Sequence, residues 1–299
     1  MPDQTQVSRN GSDGVARRFG IHHRTQYDFH QPAVLNAHSL MLFPRKSRDL
    51  DVEGFTLHIS PDARVNWMTD AFGNEIATAR FSGPATTLLI EANCEVVTCN
   101  APFPVFDIDV CATNYPFSDH GQHRLDLAPL TVPRYQDTDR KVYDWARRFV
   151  AGPSTDTLSM LKAMNSSIGE TMRYESRDRE GTQPPAATLA CASGSCRDFA
   201  VLFAEAARYL GFAARIVSGY LLPNGADGSG TTHAWAELYI PGAGWIAFDS
   251  TNRRVGGYDL IPVAVGRDIL HLPPATGTFA APPGAPPAMS VEVIVEAIE

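Results

Sequence analysis

The chain has 299 residues, of which 44% are hydrophobic and 19% charged, and its formal net charge is −8 at pH 7. A chain of this length can bury a large core, and two domains are expected. Because Lys and Arg are scattered and the net charge is negative, neither nucleic acid nor an anionic membrane is an expected partner. No apolar run reaches the roughly 20 residues of a membrane helix, and we find no secretory signal, so a soluble cytoplasmic protein is expected.

The cysteines argue against a disulfide framework and against a metal centre. Their number is odd, no pair has the C-x-x-C spacing, and no second pair of Cys or His accompanies Cys94 and Cys99. The five cysteines are Cys94, Cys99, Cys111, Cys191 and Cys196. We therefore expect reduced thiols, no metal and no organic cofactor. A thiol-based metal or redox protein is a rival interpretation, and it would require a ligand cluster.

The N-terminal part has the pattern of an antiparallel β-sandwich. Residues 1–18 are predicted to be a disordered leader, and residues 19–115 to form the sandwich domain. In this range, short runs rich in Val, Ile, Thr and Phe alternate with turn residues, as in "GFTLHISP" and "TTLLIEANCEVVTC". Within the domain, "DAFGNE" predicts a tight hairpin turn, since Gly73 and Asn74 can adopt positive φ.

Helical spacing follows in the second half of the chain. In "STDTLSMLKAMNSSIGETMRY" apolar residues recur every three or four positions, and Ser154 or Thr155 is the expected N-cap. A Pro-containing loop is predicted over residues 176–192. A second amphipathic helix follows Cys196 and is closed by Gly211, which suits the C′ position.

Cys196 is predicted to lie at the N-terminus of that second helix, within "GSCRDFAVLFAEAARYLG". The unpaired amides and the dipole at this point carry partial positive charge, which favours the thiolate over the thiol. The alternative is a buried cysteine that serves as a small apolar residue. Position by itself does not separate the two interpretations.

Three strands are predicted downstream, and two of them carry candidate catalytic residues. Pleated alternation places His233, Trp235 and Glu237 on one face of their strand, and Asp249 lies on the next strand. A hairpin centred on Pro241 would set His233 and Asp249 directly opposite one another. A four-residue loop would instead place them on opposite faces unless a bulge restores the register.

Cysteine, histidine and aspartate in this order are the nucleophile, base and orienting group of acyl-transfer chemistry. A thiolate at Cys196 would attack a carbonyl, His233 would protonate the leaving amine, and Asp249 would orient the imidazole. The sequence thus predicts that the helix start and the two strands converge.

The motifs "GSCRDFAVLFAEAARYLGFAARIVSGY", "HAWAELYIPGAGWIAFDSTN" and "AVGRDI" resemble the bacterial transglutaminase-like family, whose core is similar to papain-type cysteine proteases. The earlier motifs "IHHRTQYDF", "LMLFP" and "DAFGNE" resemble the β-strand domain that precedes this core in the family. The resemblance implies Cys196 as nucleophile, His233 as base and Asp249 as its carboxylate. It also implies that Tyr174 donates to the developing oxyanion, although the Cys196 amide is the better donor on physical grounds.

Two other positions near the motifs have alternative readings. Ser250 stands where the family usually has proline, which alters a turn and no catalytic group. Trp235 flanks the predicted base, where it would exclude water, stack on substrate or simply pack.

We therefore predict an α+β fold: an N-terminal antiparallel β-sandwich, then a transglutaminase- and papain-like core over residues 116–270. The helix bearing Cys196 would pack on the antiparallel sheet bearing His233 and Asp249. Residues 271–299 are predicted to be a Pro-rich loop and a terminal strand, whose partner sheet stays open.

The expected function is thiol-dependent acyl transfer on a peptide, isopeptide or related amide bond, through a Cys196 thioester. Hydrolysis is preferred over cross-linking, and the expected partner is a peptide, a protein substrate or a small amide. The alternatives are an amine acyltransferase of the transglutaminase type and a catalytically inactive peptide-binding module on the same fold.

Overall fold

The computed structural model describes residues 15–117, 123–176, 181–222, 230–283 and 286–298. Most of the predicted leader, residues 1–14, lies outside the described residues. The first strand begins at Arg17, two residues before the predicted boundary, because Arg17 and Arg18 pair with Thr98 and Val97 of a neighbouring strand. These ladder contacts extend the sheet into the end of the predicted leader.

Five consecutive strands make the N-terminal part, and most of them alternate buried with more exposed side chains, as the sequence pattern predicts. They are β1 (Arg17–Leu40), β2 (Leu50–Ser60), β3 (Ala63–Thr69), β4 (Glu75–Phe81) and β5 (Pro84–Thr98). Their hydrogen-bonded order is β2–β5–β1–β4–β3. The 24-residue β1 pairs with β5 along its first half and with β4 at its end. Because one strand serves both sets of neighbours, a single sheet curls around one apolar core where a two-sheet sandwich was expected.

The core that follows is an α+β unit, as predicted. Its helices are α1 (Arg124–Thr131), α2 (Lys141–Arg147), α3 (Thr157–Thr171), α4 (Pro185–Cys191) and α5 (Cys196–Tyr209). Two short strand pairs brace the helices: β6 (Asn114–Tyr115) with β7 (Thr155–Asp156), and β8 (Arg173–Tyr174) with β9 (Ser193–Gly194). The main sheet contains β10 (Ala214–Leu221), β11 (Thr231–Ile240), β12 (Gly244–Asp249), β13 (Arg254–Val255) and β14 (Leu260–Gly266), in the order β13–β12–β11–β10–β14.

Helix α5 is the centre of this core. Every residue from Asp198 to Arg208 in α5 is buried, between the sheet and the surrounding helices. The helix ends before Gly211, whose φ of 92° confirms the predicted C′ glycine. Helix α3 differs in one detail: Asp156 is its N-cap in place of Ser154 or Thr155, because its carboxylate accepts from the Ser159 amide at 2.7 Å. Residues 185–191, predicted as part of a loop, form the short helix α4.

The end of the chain returns to the first sheet. The predicted Pro-rich loop contains a strand, β15 (Ala275–Ala280), and the predicted terminal strand is β16 (Ala288–Ile298). Both pair antiparallel with β1 and complete a seven-stranded sheet, which answers the question of the partner sheet. Residues 284–285 of the predicted loop lie outside the described residues.

The "DAFGNE" motif is a turn that also joins the two sheets. Gly73 has the predicted positive φ, whereas Asn74 does not, and its side chain is buried. The side-chain nitrogen of Asn74 donates to the Val265 carbonyl, and the side-chain oxygen of Asn74 accepts from the Val265 backbone amide, each at 2.8 Å. Asn74 therefore pairs with β14 as a backbone group of an added strand would. A guanidinium nitrogen of Arg45 donates to the same Asn74 oxygen at 2.7 Å.

No described helix is both long and apolar enough to cross a membrane.

Candidate active site

Cys196 is the first residue of α5, and a capping box sets this helix start. Ser195 is the N-cap, and the buried carboxylate of Asp198 accepts from the Ser195 amide at 2.8 Å. The same carboxylate accepts from the Gln183 amide at 2.6 Å, which anchors the preceding segment to the helix. Asp198 thus positions the thiol by fixing the backbone around it.

His233 and Asp249 share one face of the sheet. The β11–β12 hairpin pairs Ile240 with Gly244, so its turn has three residues, centred on Gly242, whose φ is 84°. This register is neither of the two predicted. The side chains of His233 and Asp249 point the same way but lie diagonally, because extending the Ala236–Phe248 pairing by one residue sets Asp249 opposite Trp235. The His233 Nε2 atom donates to Asp249 Oδ2 at 2.9 Å, and both side chains are buried.

The structure brings Cys196 to this pair, because its thiol lies close enough to His233 to act on the pKa of the imidazole. Nε2 is engaged by Asp249, which leaves Nδ1 for the thiol. Burial lowers the pKa of His233, but its interactions with Asp249 and Cys196 outweigh this effect and raise the pKa to about 10. Burial opposes ionisation of Asp249 too, yet its contacts with His233 and Asn252 hold its pKa below the usual range. Both shifts favour an ionised pair.

The turn after β12 encloses the Asp249 carboxylate, and sequence analysis missed it. The amides of Thr251 and Asn252 donate to Oδ1 at 3.1 and 3.2 Å, and the Asn252 side chain donates to Oδ2 at 2.7 Å. With His233, four donors saturate the carboxylate. A possible signal was the Asn three residues after Asp in "DSTN", a spacing at which aspartate commonly accepts turn amides.

Helix α3 supports this turn through one buried side chain. The Asn165 side-chain nitrogen lies 3.4 Å from the Asp249 carbonyl and donates to the Arg254 carbonyl at 3.1 Å. The Ser250 hydroxyl donates to the Asn165 oxygen at 2.8 Å. Ser250, which departs from the family's proline, therefore adds a hydrogen bond where proline would only stiffen the turn.

Tyr174 and Trp235 take different positions around the thiol. Tyr174 is half exposed and lies near the Cys196 thiol; burial, and then the nearby Cys196, raise the pKa of Tyr174. Trp235 is 1% exposed and its ring stacks on His233, with the centroids 6.2 Å apart. Trp235 thus covers the His233–Asp249 pair from within the core and keeps water from it.

Two of the other cysteines have environments that differ from that of Cys196. Burial raises the pKa of Cys94 to about 12, so it stays a thiol. Cys191 is exposed at the end of α4. Across the part of the chain that the structure describes, no group of three or more His, Cys, Asp and Glu side chains could hold a metal ion.

A thiol at a helix start, an imidazole beside it and a carboxylate behind the imidazole are the arrangement of thiol-dependent acyl-transfer enzymes. Two family comparisons agree with this class. Residues 143–250 belong to the transglutaminase-like superfamily, and residues 19–97 to the bacterial transglutaminase-like N-terminal region. The chain thus carries a transglutaminase-like core behind the N-terminal region of the bacterial family.

Individual proteins are similar to this chain in structure or in sequence. A candidate cysteine protease from Cytophaga hutchinsonii superposes with a TM-score of 0.75 at 21% identity, covering 95% of this chain and 92% of that one. An uncharacterised protein of Mycobacterium tuberculosis is 28% identical over 280 residues, 87% of both chains. An uncharacterised protein of Mycobacterium leprae is 36% identical over 91 residues, which cover 29% of this chain and 32% of that protein.

Proposed function

We propose that this protein hydrolyses a peptide-like amide, with Cys196 as nucleophile, His233 as general base and acid, and Asp249 as the carboxylate that orients His233. The observation that carries the proposal is the arrangement of the three side chains: the Cys196 thiol lies beside His233, and His233 Nε2 donates to Asp249 Oδ2 at 2.9 Å. His233 and Asp249 are buried beside Trp235, while Cys196 is partly exposed and open to substrate.

In the first half of the reaction, the Cys196 thiolate attacks the amide carbonyl carbon and forms a C–S bond. The Cys196 backbone N–H, free at the helix start, and the Tyr174 hydroxyl donate to the oxyanion. The His233 imidazolium then gives its proton to the amide nitrogen as the C–N bond breaks, and the amine leaves. The product is a thioester on Cys196.

In the second half, neutral His233 removes a proton from water, whose oxygen attacks the thioester. The C–S bond breaks, the carboxylic acid leaves, and the thiolate–imidazolium pair is restored. We prefer hydrolysis because Cys196 is partly exposed and Tyr174 is 52% exposed, so water can reach the thioester. An amine bound in place of this water would give cross-linking with the same residues.

The first experiment is alkylation of all five cysteines by iodoacetamide across a pH series, with each site followed by mass spectrometry. We expect Cys196 to react well below pH 7, where an ordinary cysteine, with a pKa of about 8.5, is mostly protonated. His233→Ala should abolish this low-pH reactivity, whereas His30→Ala, an exposed histidine of the N-terminal sheet, should retain it. Labelling of Cys196 only near pH 8.5 would contradict the proposed triad.

The fate of the thioester separates the candidate reactions. Wild-type protein incubated with a peptide-amide library should release amine and free acid in equal amounts. If an added primary amine is incorporated in place of water at every concentration tested, the amine acyltransferase is the better description. A reactive Cys196 with no release of amine from any peptide would favour the peptide-binding module.

A further inference from the structure

A cavity of about 400 Å³ lies against the outer side of the candidate triad. It is formed between the segment that leaves the N-terminal sheet and the turns around β13. Asp249 contributes to its wall, so the cavity borders the candidate active site at this residue. Its apolar lining residues are Pro102, Phe103, Leu221, Val255, Tyr258 and Leu260.

The walls of this cavity are held by specific contacts. The Asn100 side chain donates to the Gly257 carbonyl at 2.9 Å, and a guanidinium nitrogen of Arg17 donates to the Tyr258 carbonyl at 2.5 Å. The Arg17 guanidinium also lies over the Tyr258 ring, 3.8 Å from its centroid. Across the cavity, the Leu222 amide donates to the Asp259 carbonyl at 2.8 Å. The cavity is therefore preformed, as binding sites for small groups usually are.

The charged residues that line the cavity indicate what kind of side chain it can bind. Three charged residues line it, and each has an opposite or donating partner: Arg254 pairs with Asp259, and Asp249 is saturated by His233 and the turn. Among the described lining residues, each charge therefore has an ionic or hydrogen-bonding partner. An ionised side chain would therefore lose its hydration here without compensation, whereas an apolar one would not.

The exposure of Phe103 also indicates that the cavity binds an apolar group. Its side chain is 89% exposed although it lines the cavity, so an apolar group bound there would cover part of it. Val105, two residues further on, is 96% exposed and does not line the cavity. The cavity volume lies at the lower end of the range for small-molecule sites, which fits one side chain.

We propose that this cavity is a substrate subsite that receives one uncharged aromatic or branched apolar side chain of the peptide whose amide is cleaved at Cys196. The inference rests on the proposed function and adds its side-chain preference. Asp249 in the wall ties the subsite to the triad, so side-chain binding would position the peptide relative to Cys196.

Binding is measured first in a Cys196→Ser variant, which keeps the cavity and removes the reactive thiol. By ¹⁹F NMR, N-acetyl-4-fluorophenylalaninamide should broaden at millimolar concentration, and N-acetylleucinamide, but not N-acetylaspartamide, should displace it. Phe103→Asp should weaken binding at least fivefold, while Val105→Asp on the same segment should leave it unchanged. Undiminished binding to Phe103→Asp, displacement by the acidic amide or no binding at all would each overturn the subsite.

Reaction with Cys196 is measured second, using iodoacetyl tripeptide amides that carry one Phe at the first, second or third position and glycine elsewhere. One position should label Cys196 at least tenfold faster than the all-glycine reagent, and Phe103→Asp should remove this preference while Val105→Asp retains it. If plain iodoacetamide does not label Cys196 of the wild-type protein at low pH, the proposed function is refuted. Normal labelling by iodoacetamide with no preference for Phe at any position refutes the subsite alone.

Discussion

At the scale of single residues, the environment of Asp249 shows how a buried carboxylate is kept ionised. Burial by itself raises the pKa of a carboxyl group, and here donors from the following turn and from His233 reverse that effect. The Asn252 side chain supplies one of these donors and its backbone amide another, and neither group takes part in the reaction. The function of Asn252 is to position Asp249, and through Asp249 the ring of His233.

Asn252→Ala should therefore impair reactivity without disturbing substrate binding. A hydrogen bond to a charged group contributes about 1.5 kcal/mol or more, which corresponds to roughly tenfold in rate. We expect Cys196 alkylation at pH 6 to slow by about that factor, and kcat to fall with KM nearly unchanged. Asn36→Ala, an exposed asparagine on β1, should be neutral. An unchanged pH profile in Asn252→Ala would show that the turn amides suffice to hold Asp249.

A second residue, His23, makes folding sensitive to acid. Burial, and secondarily His22, lower the pKa of His23 from 6.5 to about 4. As pH falls below 6.5, His23 is protonated in the unfolded chain but stays neutral in the folded protein. Stability that is present above pH 6.5 is therefore lost towards pH 4. The expected loss is about 3 kcal/mol. His233 acts in the opposite direction: its raised pKa adds stability below pH 6.5 that is lost as pH rises towards 10.

Urea unfolding at several pH values tests the assignment to His23. The free energy of unfolding of the wild type should fall more steeply between pH 6.5 and 4 than that of His23→Gln, which has no titratable group there. His30→Ala, an exposed histidine, should follow the wild type. Parallel curves for wild type and His23→Gln would place the acid sensitivity elsewhere.

At the scale of elements, the Asn74 side chain attaches the β3–β4 hairpin to the main sheet of the core. Asn74 satisfies both the amide and the carbonyl of Val265 on β14, an edge strand of its sheet. Without Asn74 both groups would be buried without a partner, and Arg45 would lose its acceptor. The hairpin thus closes an edge that would otherwise be open.

Asn74→Ala should accordingly lower the free energy of unfolding by about 3 kcal/mol, because two buried backbone groups lose their partners. Chemical denaturation measures the change. Asn66→Ala on the neighbouring strand β3, where the side chain is exposed, should cost little. A similar small effect for both variants would mean that the backbone of β14 finds other partners.

At the scale of the whole molecule, β1, β16 and the main sheet of the core share one interface. Val295 on β16 is 2% exposed and packs with Tyr220, Leu222 and Ile261 of the core domain and with Ile21 of β1. The terminal strand therefore ties the N-terminal sheet to the strands that lead into the candidate active site. Residues at opposite ends of the sequence contribute to one apolar cluster.

Val295→Asp should disrupt this interface and lower the free energy of unfolding by about 3 kcal/mol or more, because a charge would be buried without a partner. Val291→Asp on the same strand and face is the matched control, because Val291 is 48% exposed. Hydrogen exchange of residues 17–28 should accelerate in the first variant and stay at the wild-type level in the second. Equal protection in both variants would remove β16 from the interface.

The local patterns in the sequence determined the α+β class, the strands of the N-terminal part and the helix that begins at Cys196. These follow from short-range rules: alternation of two for strands, three to four for helices, and caps at helix ends. The kinds of residue needed for acyl transfer, Cys196, His233 and Asp249, were likewise visible, because each stood at the end of a predicted element.

Only the tertiary structure decided how these elements meet. The three-residue turn that sets the register of His233 and Asp249, the attachment of Asn74 to β14, and the pairing of β16 with β1 all depend on contacts between distant residues. Such contacts leave no periodic signal, because their stability comes from burial and hydrogen bonds that exist only once the chain has folded. The cavity beside Asp249 is of the same kind, since its walls come from segments more than 100 residues apart.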